Sequence, residues 1–249
     1  MIEEGASIAG PNGPADRVVL GDHVFIGERC KFRVPSLEIG DFTQIHNSSL
    51  ANGYKPLSIG HNGWFGQNCI LNATDVLRIG NNCGVGAYSQ LWTHIAYGDV
   101  LQGCRWDSTK PMWIGEDVWF VGHCIVSPIV AKDRAMALVG AVVTRDMDEN
   151  HVYAGSPARD VTDKVGPQFA PVTVEHRVDM LLQRRSEFLE RNTQFAPETI
   201  GVAADGAIVV PGDSVFDVVR RTYLKHRSES EVAFMRFLLP RAKFLPVQP

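Results

Sequence analysis

Residues 79–94 read IGNNCGVGAYSQLWTH and show a regular six-residue repeat. An aliphatic residue opens each group of six at Ile79, Val85 and Leu91, and a small residue follows four positions later at Cys83 and Ser89. An aliphatic and a small side chain that alternate in this way fill a narrow interior covered by the neighbouring turns of a solenoid. The pattern therefore predicts short parallel strands stacked in successive coils.

The same six-residue unit runs in both directions from this stretch. Its openers are Leu20, Ile26, Phe32, Ile39, Ile45, Ala51, Ile59, Phe65, Leu71, Ile79, Val85, Leu91, Ile114, Phe120 and Val126. Extra residues interrupt the series only after every third unit, with one before Ile39, two before Ile59, two before Ile79 and seventeen before Ile114. Three faces per turn, with insertions at one corner, describe a triangular prism.

The five cysteines fit this repeat better than they fit a disulfide or metal framework. Four of them occupy the small-residue slot of a unit, where a compact apolar group packs well: Cys30, Cys69, Cys83 and Cys124. Cys104 lies in the seventeen-residue insertion, and no CxxC pair occurs. We predict that the four are packing residues and that no disulfide or metal site is present.

The bulk composition excludes several classes of function. The chain has 249 residues and a formal charge of −4, whereas nucleic-acid binding usually requires a basic surplus. No apolar run approaches the roughly 20 residues that cross a bilayer, and the acidic start MIEEGASIAG has no signal-peptide core. We expect a soluble, cytoplasmic protein without nucleic-acid partners.

Three motifs in order resemble the hexapeptide-repeat acyltransferases, in particular the maltose and galactoside acetyltransferases and relatives that act on sugar nucleotides. They are IGNNCGVGAYSQLWTH at 79–94, IGEDVWFVGHCIV at 114–126 and VGAVVTRDMDENHVYAGSPAR at 139–159. The resemblance implies a mainly β fold, the left-handed parallel β-helix, although general crossover rules favour the other hand. We expect this domain at residues 1–165 with a loop insertion at about 95–112, followed by a C-terminal α/β extension at 166–249. The resemblance also implies a homotrimer.

The activity implied by the resemblance is transfer of an acyl group from acetyl-CoA, or another acyl-CoA, to a sugar or sugar-nucleotide hydroxyl or amine. His94 ends the last regular unit before the long insertion and matches the general base of these enzymes. Histidine suits the role because its pKa lies near neutral pH. Read from the residues alone, His94 could instead satisfy a loop backbone group. Its orienting partner is left open among Asp75, Asp99 and Asp107.

Six further positions match the CoA contacts of the family: Trp119, Gly122, Val139, Thr144, Arg145 and Arg159. The two arginines can bind phosphate through charge-assisted hydrogen bonds, or they can be solvated edge residues. Trp119 can equally seal a trimer interface. Residues 127–144 depart from the family pattern, because Lys132-Asp133 stands where an Ile-Gly opener is usual. We expect this segment beside the CoA groove, where it would alter the cofactor contacts.

The C-terminal part carries no catalytic motif that we recognise. Its pattern predicts helices at 174–192, 214–226 and 228–239, the last opened by a capping box at Ser228 and Glu231, and a strand within 206–214. A β-helix of this kind is compatible with two other functions. A zinc carbonic anhydrase is disfavoured because the closely spaced HxxxxH pair is missing, and a non-catalytic β-helix scaffold or ligand-binding protein remains the alternative.

Overall fold

A computed structural model describes residues 1–248 of the chain. The chain divides into two compact units, Met1–Phe169 and a second unit that begins at Ala170. None of the helices in residues 1–248 has the length and hydropathy needed to cross a bilayer.

The first unit consists of three sheets whose strands follow one another around each coil. The first sheet contains Ser7–Ala9, Lys31–Arg33, Leu50–Gly53, Ile70–Ala73, Gln90–Leu91, Ile125–Val126 and Val142–Val143. The second contains Arg17–Leu20, Ser36–Ile39, Leu57–Ile59, Leu77–Ile79, Met112–Ile114 and Val130–Ala131. The third contains Phe25–Ile26, Gln44–Ile45, Trp64–Phe65, Gly84–Val85, Trp119–Phe120, Met136–Ala137, Val152–Ala154 and Arg159–Asp160.

The pairing within these sheets is parallel except for the last strand, Arg159–Asp160, which runs antiparallel to Val152–Ala154. Equivalent repeat positions lie in register, as where Val85 pairs with both Phe65 and Phe120. The structure confirms the predicted fold class in its main features, a mainly β parallel β-helix followed by an α/β extension.

The interior of the prism is filled as the repeat predicts. The openers Ile26, Phe65 and Phe120 are fully buried, and so are the thiols of the four cysteines in the small-residue slot. Burial raises the pKa of Cys69 to about 11 and that of Cys83 to about 12. Thiols held in this neutral form are poor nucleophiles. The prediction that these cysteines pack the core is confirmed.

Glycine at the corners allows successive coils to approach closely. A Cβ on Gly86 would lie 1.9 Å from the carbonyl oxygen of Val121 in the next coil, a separation that no side chain tolerates. The turns that follow strands of the second sheet hold residues with left-handed φ, including Asn62 at 58° and Asn82 at 62°. Asparagine adopts this conformation more readily than most residues. Backbone sterics therefore fix glycine and asparagine at these corners.

The long insertion forms an antiparallel hairpin, which we call the arm (residues 94–109). Strand His94–Ala96 pairs with Asp107–Thr109, so that His94 lies opposite Thr109. A 3-10 turn, Val100–Gln102, is capped by the carboxylate of Asp99. The regular coil resumes at Met112–Ile114. The arm thus begins with the histidine predicted to be catalytic.

The first unit also contains the short helix Thr162–Val165. The second unit contains helices Val174–Arg191 and Glu229–Leu238, a 3-10 turn Pro197–Thr199 and a five-stranded sheet. The strands are, in sheet order, Ala207–Val210, Ile200–Ala204, Ser214–Asp217, Thr222–Leu224 and Leu245–Val247. Its core is aromatic, with Phe188, Phe216, Tyr223 and Phe234 buried. The predicted strand within 206–214 and the helices at 174–192 and 228–239 are confirmed, and Ser228 accepts the backbone N–H of Glu231 as its cap.

The helix predicted at 214–226 is wrong, because this segment forms two antiparallel strands joined by a turn. The carboxylate of Asp217 accepts the backbone N–H groups of Val219 and Arg220, which closes the turn. Phe216 and Tyr223 then stack across the hairpin with ring centroids 5.2 Å apart. Turn chemistry and cross-strand packing thus overrode the apolar spacing that had indicated a helix.

Candidate active site

His94 lies at the corner between the first and second sheets, at the foot of the arm. It is half-buried, and its Nδ1 is 2.9 Å from Oδ1 of Asn72, which belongs to the preceding coil. The indole of Trp92 packs edge-on with its centroid 5.9 Å from the imidazole. Within residues 1–248, Nε2 of His94 makes no hydrogen bond. One ring nitrogen is therefore held and the other is available.

Asn72 is buried and bound on several sides, which fixes its orientation. Its Oδ1 accepts hydrogen bonds from Thr93 Oγ1 at 2.8 Å, Thr74 N at 3.2 Å and Thr93 N at 3.3 Å. Because backbone N–H groups only donate, the atom facing them must be the oxygen, not the amide nitrogen. An oxygen that only accepts places the proton of neutral His94 on Nδ1. The lone pair of the imidazole is then on Nε2.

The three aspartates left open as orienting partners make other contacts. Asp75 accepts the backbone N–H of Val76, Asp99 caps the turn of the arm, and Asp107 lies exposed on the second strand of the arm. The sequence reasoning considered only carboxylates and so missed Asn72. The available signal was its place one coil before the histidine, at the same corner of the prism.

The remaining histidines of the first unit make the packing or loop contacts expected of structural residues. His46 lies between Phe25 and Trp64, and His123 stacks on Tyr88 with centroids 5.0 Å apart. Burial lowers the pKa of His46. His151 forms a surface pair with Asp160, at 2.5 Å between Nδ1 and Oδ2. No group of three His, Cys, Asp or Glu residues within positions 1–248 could hold a metal ion.

Three of the six residues predicted to bind CoA share one cavity in the last coils. Thr144, Arg145 and Arg159 line a volume of about 180 Å³, together with Tyr153 and Asp160. Thr144 follows the last strand of the first sheet, and so lies at the same corner as His94, two coils further along the prism. The cavity therefore places two guanidinium groups near the same corner of the prism as His94, but in later coils.

The other three predicted CoA residues lie outside this cavity, on the third sheet and the corner that follows it. Trp119 is 43% exposed and its ring covers Gly84. Gly122 has a φ of 150° and accepts the backbone N–H of Gly140, while Val139 is 67% exposed. They form a second surface of the prism. Within one copy of the chain, none of these three residues lines the arginine cavity.

The segment around Lys132-Asp133 was expected beside the CoA groove, and this expectation stays a prediction. It lines a groove with Arg78 and Trp113 on the second sheet, and this groove shares no lining residue with the arginine cavity. The reason is its register: Val130–Ala131 pairs with Trp113–Ile114, so the segment continues the second sheet.

No protein-family model matches the chain. The solved structures that resemble it include the polysialic acid O-acetyltransferase OatWY, at 18% identity over 68% of this chain and 89% of that one, with a TM-score of 0.48. The polysialic acid-specific acetyltransferase NeuO has 17% identity over 68% and 90%, with a TM-score of 0.42. A maltose O-acetyltransferase from Clostridium difficile 630 has 22% identity over 58% and 65%, with a TM-score of 0.35. These neighbours are hexapeptide-repeat acetyltransferases, and at such identities the likeness concerns the fold.

Proposed function

We propose that this chain is an acyl-CoA-dependent acyltransferase, with acetyl-CoA as the donor and a sugar or sugar-nucleotide hydroxyl or amine as the acceptor. The observation that carries the proposal is the imidazole of His94, which Asn72 holds through Nδ1 while Nε2 stays free at the foot of the arm. A neutral imidazole with one oriented donor and one free lone pair is the arrangement required of a general base.

The reaction we propose is direct transfer in a ternary complex. Nε2 of His94 removes the proton of the acceptor hydroxyl or amine as its oxygen or nitrogen attacks the thioester carbonyl. Collapse of the tetrahedral intermediate breaks the C–S bond, and the imidazolium returns its proton to the departing thiolate of CoA. Throughout, Asn72 accepts the hydrogen bond from Nδ1 and holds the ring. Burial raises the pKa of the Cys69 and Cys83 thiols, which argues against either of them as the site of an acyl-cysteine intermediate.

CoA binding is assigned to the six residues matched in the sequence. Arg145 and Arg159 would bind the phosphates of CoA, since guanidinium groups form charge-assisted hydrogen bonds to phosphate. Trp119, Gly122, Val139 and Thr144 would contact the pantetheine arm. Because these residues lie on two different surfaces of one copy, a groove that uses all six has to be formed by two copies.

We therefore propose a homotrimer, in the cytoplasm where acyl-CoA is formed. The exposed apolar side chains of the arm support an assembly, because Tyr97, Leu101 and Trp106 are 103%, 91% and 74% exposed in the single chain. Patches of this kind usually mark interfaces. Light scattering of the purified protein should give three times the chain mass, and a monomer with full transfer activity would rule out the shared groove.

The test of the function is thiol release from acetyl-CoA in the presence of a panel of sugars and sugar nucleotides, together with thermal stabilisation by CoA. We expect both, because a bound donor stabilises the folded state and transfer frees the thiol. Stabilisation by CoA without acceptor-dependent thiol release would favour the non-catalytic, ligand-binding alternative. If CoA causes no thermal stabilisation and no thiol is released, acyl-CoA is excluded as a ligand.

A further inference from the structure

A second groove lies on the outer face of the second sheet, away from the arginine cavity. It is shallow and open to solvent, has a volume of about 470 Å³, and is lined by Arg78, Trp113, Val130, Lys132 and Glu149, among others. All of its lining residues belong to the first unit. Nothing in the proposed acyl transfer uses these side chains.

The groove exists because the second sheet stops before its neighbours. It has six strands, whereas the third sheet has eight, so that Val130–Ala131 is its edge strand. Lys132 stands where earlier coils have a glycine, such as Gly115, that the next coil covers. Here the chain beyond Asp146 supplies only one isolated bridge, between Ala131 and Met147. Asp146 and Met147 bond the backbone of this edge strand, and the departure from the repeat leaves the side chains around it exposed.

The lining combines an aromatic platform with free polar groups. Trp113 and Val130 are 41% and 40% exposed and provide apolar surface. Within residues 1–248, Arg78, Glu149 and Nε1 of Trp113 make no hydrogen bond. By contrast, Lys132 is paired with Asp148 at 2.7 Å.

The charges of the groove indicate which ligand would fit. Two cations, Arg78 and Lys132, face two carboxylates, Asp133 and Glu149, so the lining has no net formal charge. The cation of Lys132 is already neutralised by Asp148. A phosphate or a sialic acid would meet uncompensated carboxylates, whereas a neutral sugar needs an apolar surface for its C–H face and both donors and acceptors for its hydroxyls.

We propose that this groove binds a neutral saccharide unit of the acceptor, and this inference rests on the proposed sugar acyl transfer. The sugar ring stacks on Trp113, Arg78 donates to one hydroxyl, and Glu149 accepts from another. Apolar surface with a few placed polar groups is the usual composition of a small-molecule site. The acceptor class named by this geometry is an uncharged oligosaccharide.

The groove is connected to His94 through the arm. Thr109, at the end of the arm, pairs with His94, and Trp113 follows four residues later. Four extended residues span at most ~14 Å. The N–H of Lys110 also bonds to the carbonyl of Thr93 at 3.0 Å, which anchors this connection beside the histidine. A chain of several sugar units can therefore occupy Trp113 with one unit and present another towards the foot of the arm.

The experiment measures binding of hexasaccharides to the full-length protein by saturation-transfer NMR and calorimetry. The probes are maltohexaose and chitohexaose, which are neutral, and a sialic acid hexamer, which is anionic. We expect a neutral hexamer to bind, and Trp113→Ala to weaken that binding by at least about tenfold. Trp113→Phe, which keeps an aromatic platform, should retain most of it. The matched control is Trp64→Ala, which removes a tryptophan that is 44% exposed on the third sheet, and it should bind normally.

Any one of the following results would overturn the inference: no binding of either neutral hexamer, equal binding by the Trp113→Ala variant with its fold intact by circular dichroism, or preference for the sialic acid hexamer. Displacement of a bound hexamer by CoA would also overturn it, since the groove would then serve the donor. The proposed saccharide site and the proposed acyl transfer fail under different results. Hexamer binding without any thiol release would contradict the proposed acyl transfer but leave the saccharide-binding site in place. Transfer to simple sugars without hexamer binding would contradict only the proposed saccharide site in the groove.

Discussion

His94 and Asn72, separated by one coil of the prism, are joined by a 2.9 Å hydrogen bond between Nδ1 and Oδ1. The amide is buried and its oxygen is identified by two backbone N–H donors, so the tautomer of the neutral imidazole follows from the structure. The hydrogen bond from Nδ1 fixes the orientation of the His94 ring and leaves the lone pair of Nε2 free.

Replacing His94 by alanine should reduce acyl transfer by about 10²- to 10⁴-fold, the usual contribution of a general base. The fold should survive, because the side chain is only half-buried. Thiol release from acetyl-CoA measures the loss, and thermal unfolding checks the fold. His176→Ala, on an exposed position of a helix in the second unit, is the control. Wild-type turnover in the His94 variant would remove it as the base.

Changing Asn72 should separate its two effects on the site. In Asn72→Ala, the side chain of His94 loses its acceptor, and so do the backbone N–H groups of the buried Thr93 and the partly buried Thr74, which should cost about 1–3 kcal/mol of unfolding free energy as well as activity. Asn72→Asp keeps an acceptor, but its carboxylate favours the protonated imidazole. The acid limb of kcat/KM should therefore move to higher pH.

The dependence of kcat/KM on pH distinguishes an Asn72 that orients His94 from an Asn72 that only supports the structure. A purely structural amide would change stability and the level of activity in Asn72→Asp but would leave the acid limb where it is in the wild type. That outcome would contradict the assignment of Asn72 as the residue that orients His94.

The site was only partly predictable from the sequence. The position of His94 at the end of a regular series identifies the residue, because the chain leaves the prism where the repeat fails. The partner Asn72 depends on which residues stack at one corner in successive coils, and that register is set by insertions of one or two residues. The six CoA positions came from the resemblance, and their division between two surfaces follows from the sheet register of the folded chain.

Gly86→Ala should destabilise the prism by about 1–3 kcal/mol or more, the usual cost of overpacking. The added Cβ would lie 1.9 Å from the carbonyl oxygen of Val121, and Val121 is held in place by the hydrogen bond from its own N–H to the carbonyl of Ala137 in the following coil. Chemical denaturation gives the free energy of unfolding. Gly13→Ala is the matched control, since a Cβ there meets nothing within 4 Å and φ is not positive. Equal stability of the two variants would refute close packing at this corner.

The fold of the first unit was more predictable than that of the second unit, because the six-residue repeat specifies the same strand and corner many times. Openers such as Ile26 and Phe120 all point inwards, and each insertion marks the same corner, so local errors do not change the result. The segment 214–226 offers a single short pattern in which helical and strand spacing compete. There the outcome was decided by Asp217, whose carboxylate closes a turn, and by the stacking of Phe216 on Tyr223.

Arg159→Ala should weaken CoA binding by about tenfold or more, since a hydrogen bond to a charged group contributes about 1.5–3 kcal/mol. Arg145→Ala should act similarly, because both guanidinium groups line one cavity. Calorimetry with CoA measures the affinity, and Arg33→Ala, an exposed arginine on the first sheet, controls for loss of surface charge. Unchanged CoA affinity in both cavity variants would place the phosphates elsewhere.

The surface pair of His151 and Asp160 should make stability depend on pH. The Asp160 hydrogen bond raises the pKa of His151 above 6.5, while hydrogen bonds from Thr162 and His151 hold the pKa of Asp160 at about 2. The histidine stabilises the fold fully below its unfolded pKa of 6.5 and loses this contribution as the pH rises through its raised folded value. The aspartate contributes above its unfolded pKa of 3.8 and loses its contribution as the pH falls towards 2.

Both contributions overlap between about pH 4 and 6.5, so the difference in Tm between wild type and His151→Gln should be largest near pH 5 and should shrink at alkaline pH. Because both side chains are 42% exposed, added salt should reduce it. Asp160→Asn serves as a reciprocal control, but it also loses acceptor strength towards Thr162 and should lower Tm over a wider pH range. A Tm difference that stayed constant from pH 5 to pH 9 would show that His151 acts through packing, and not through its charge.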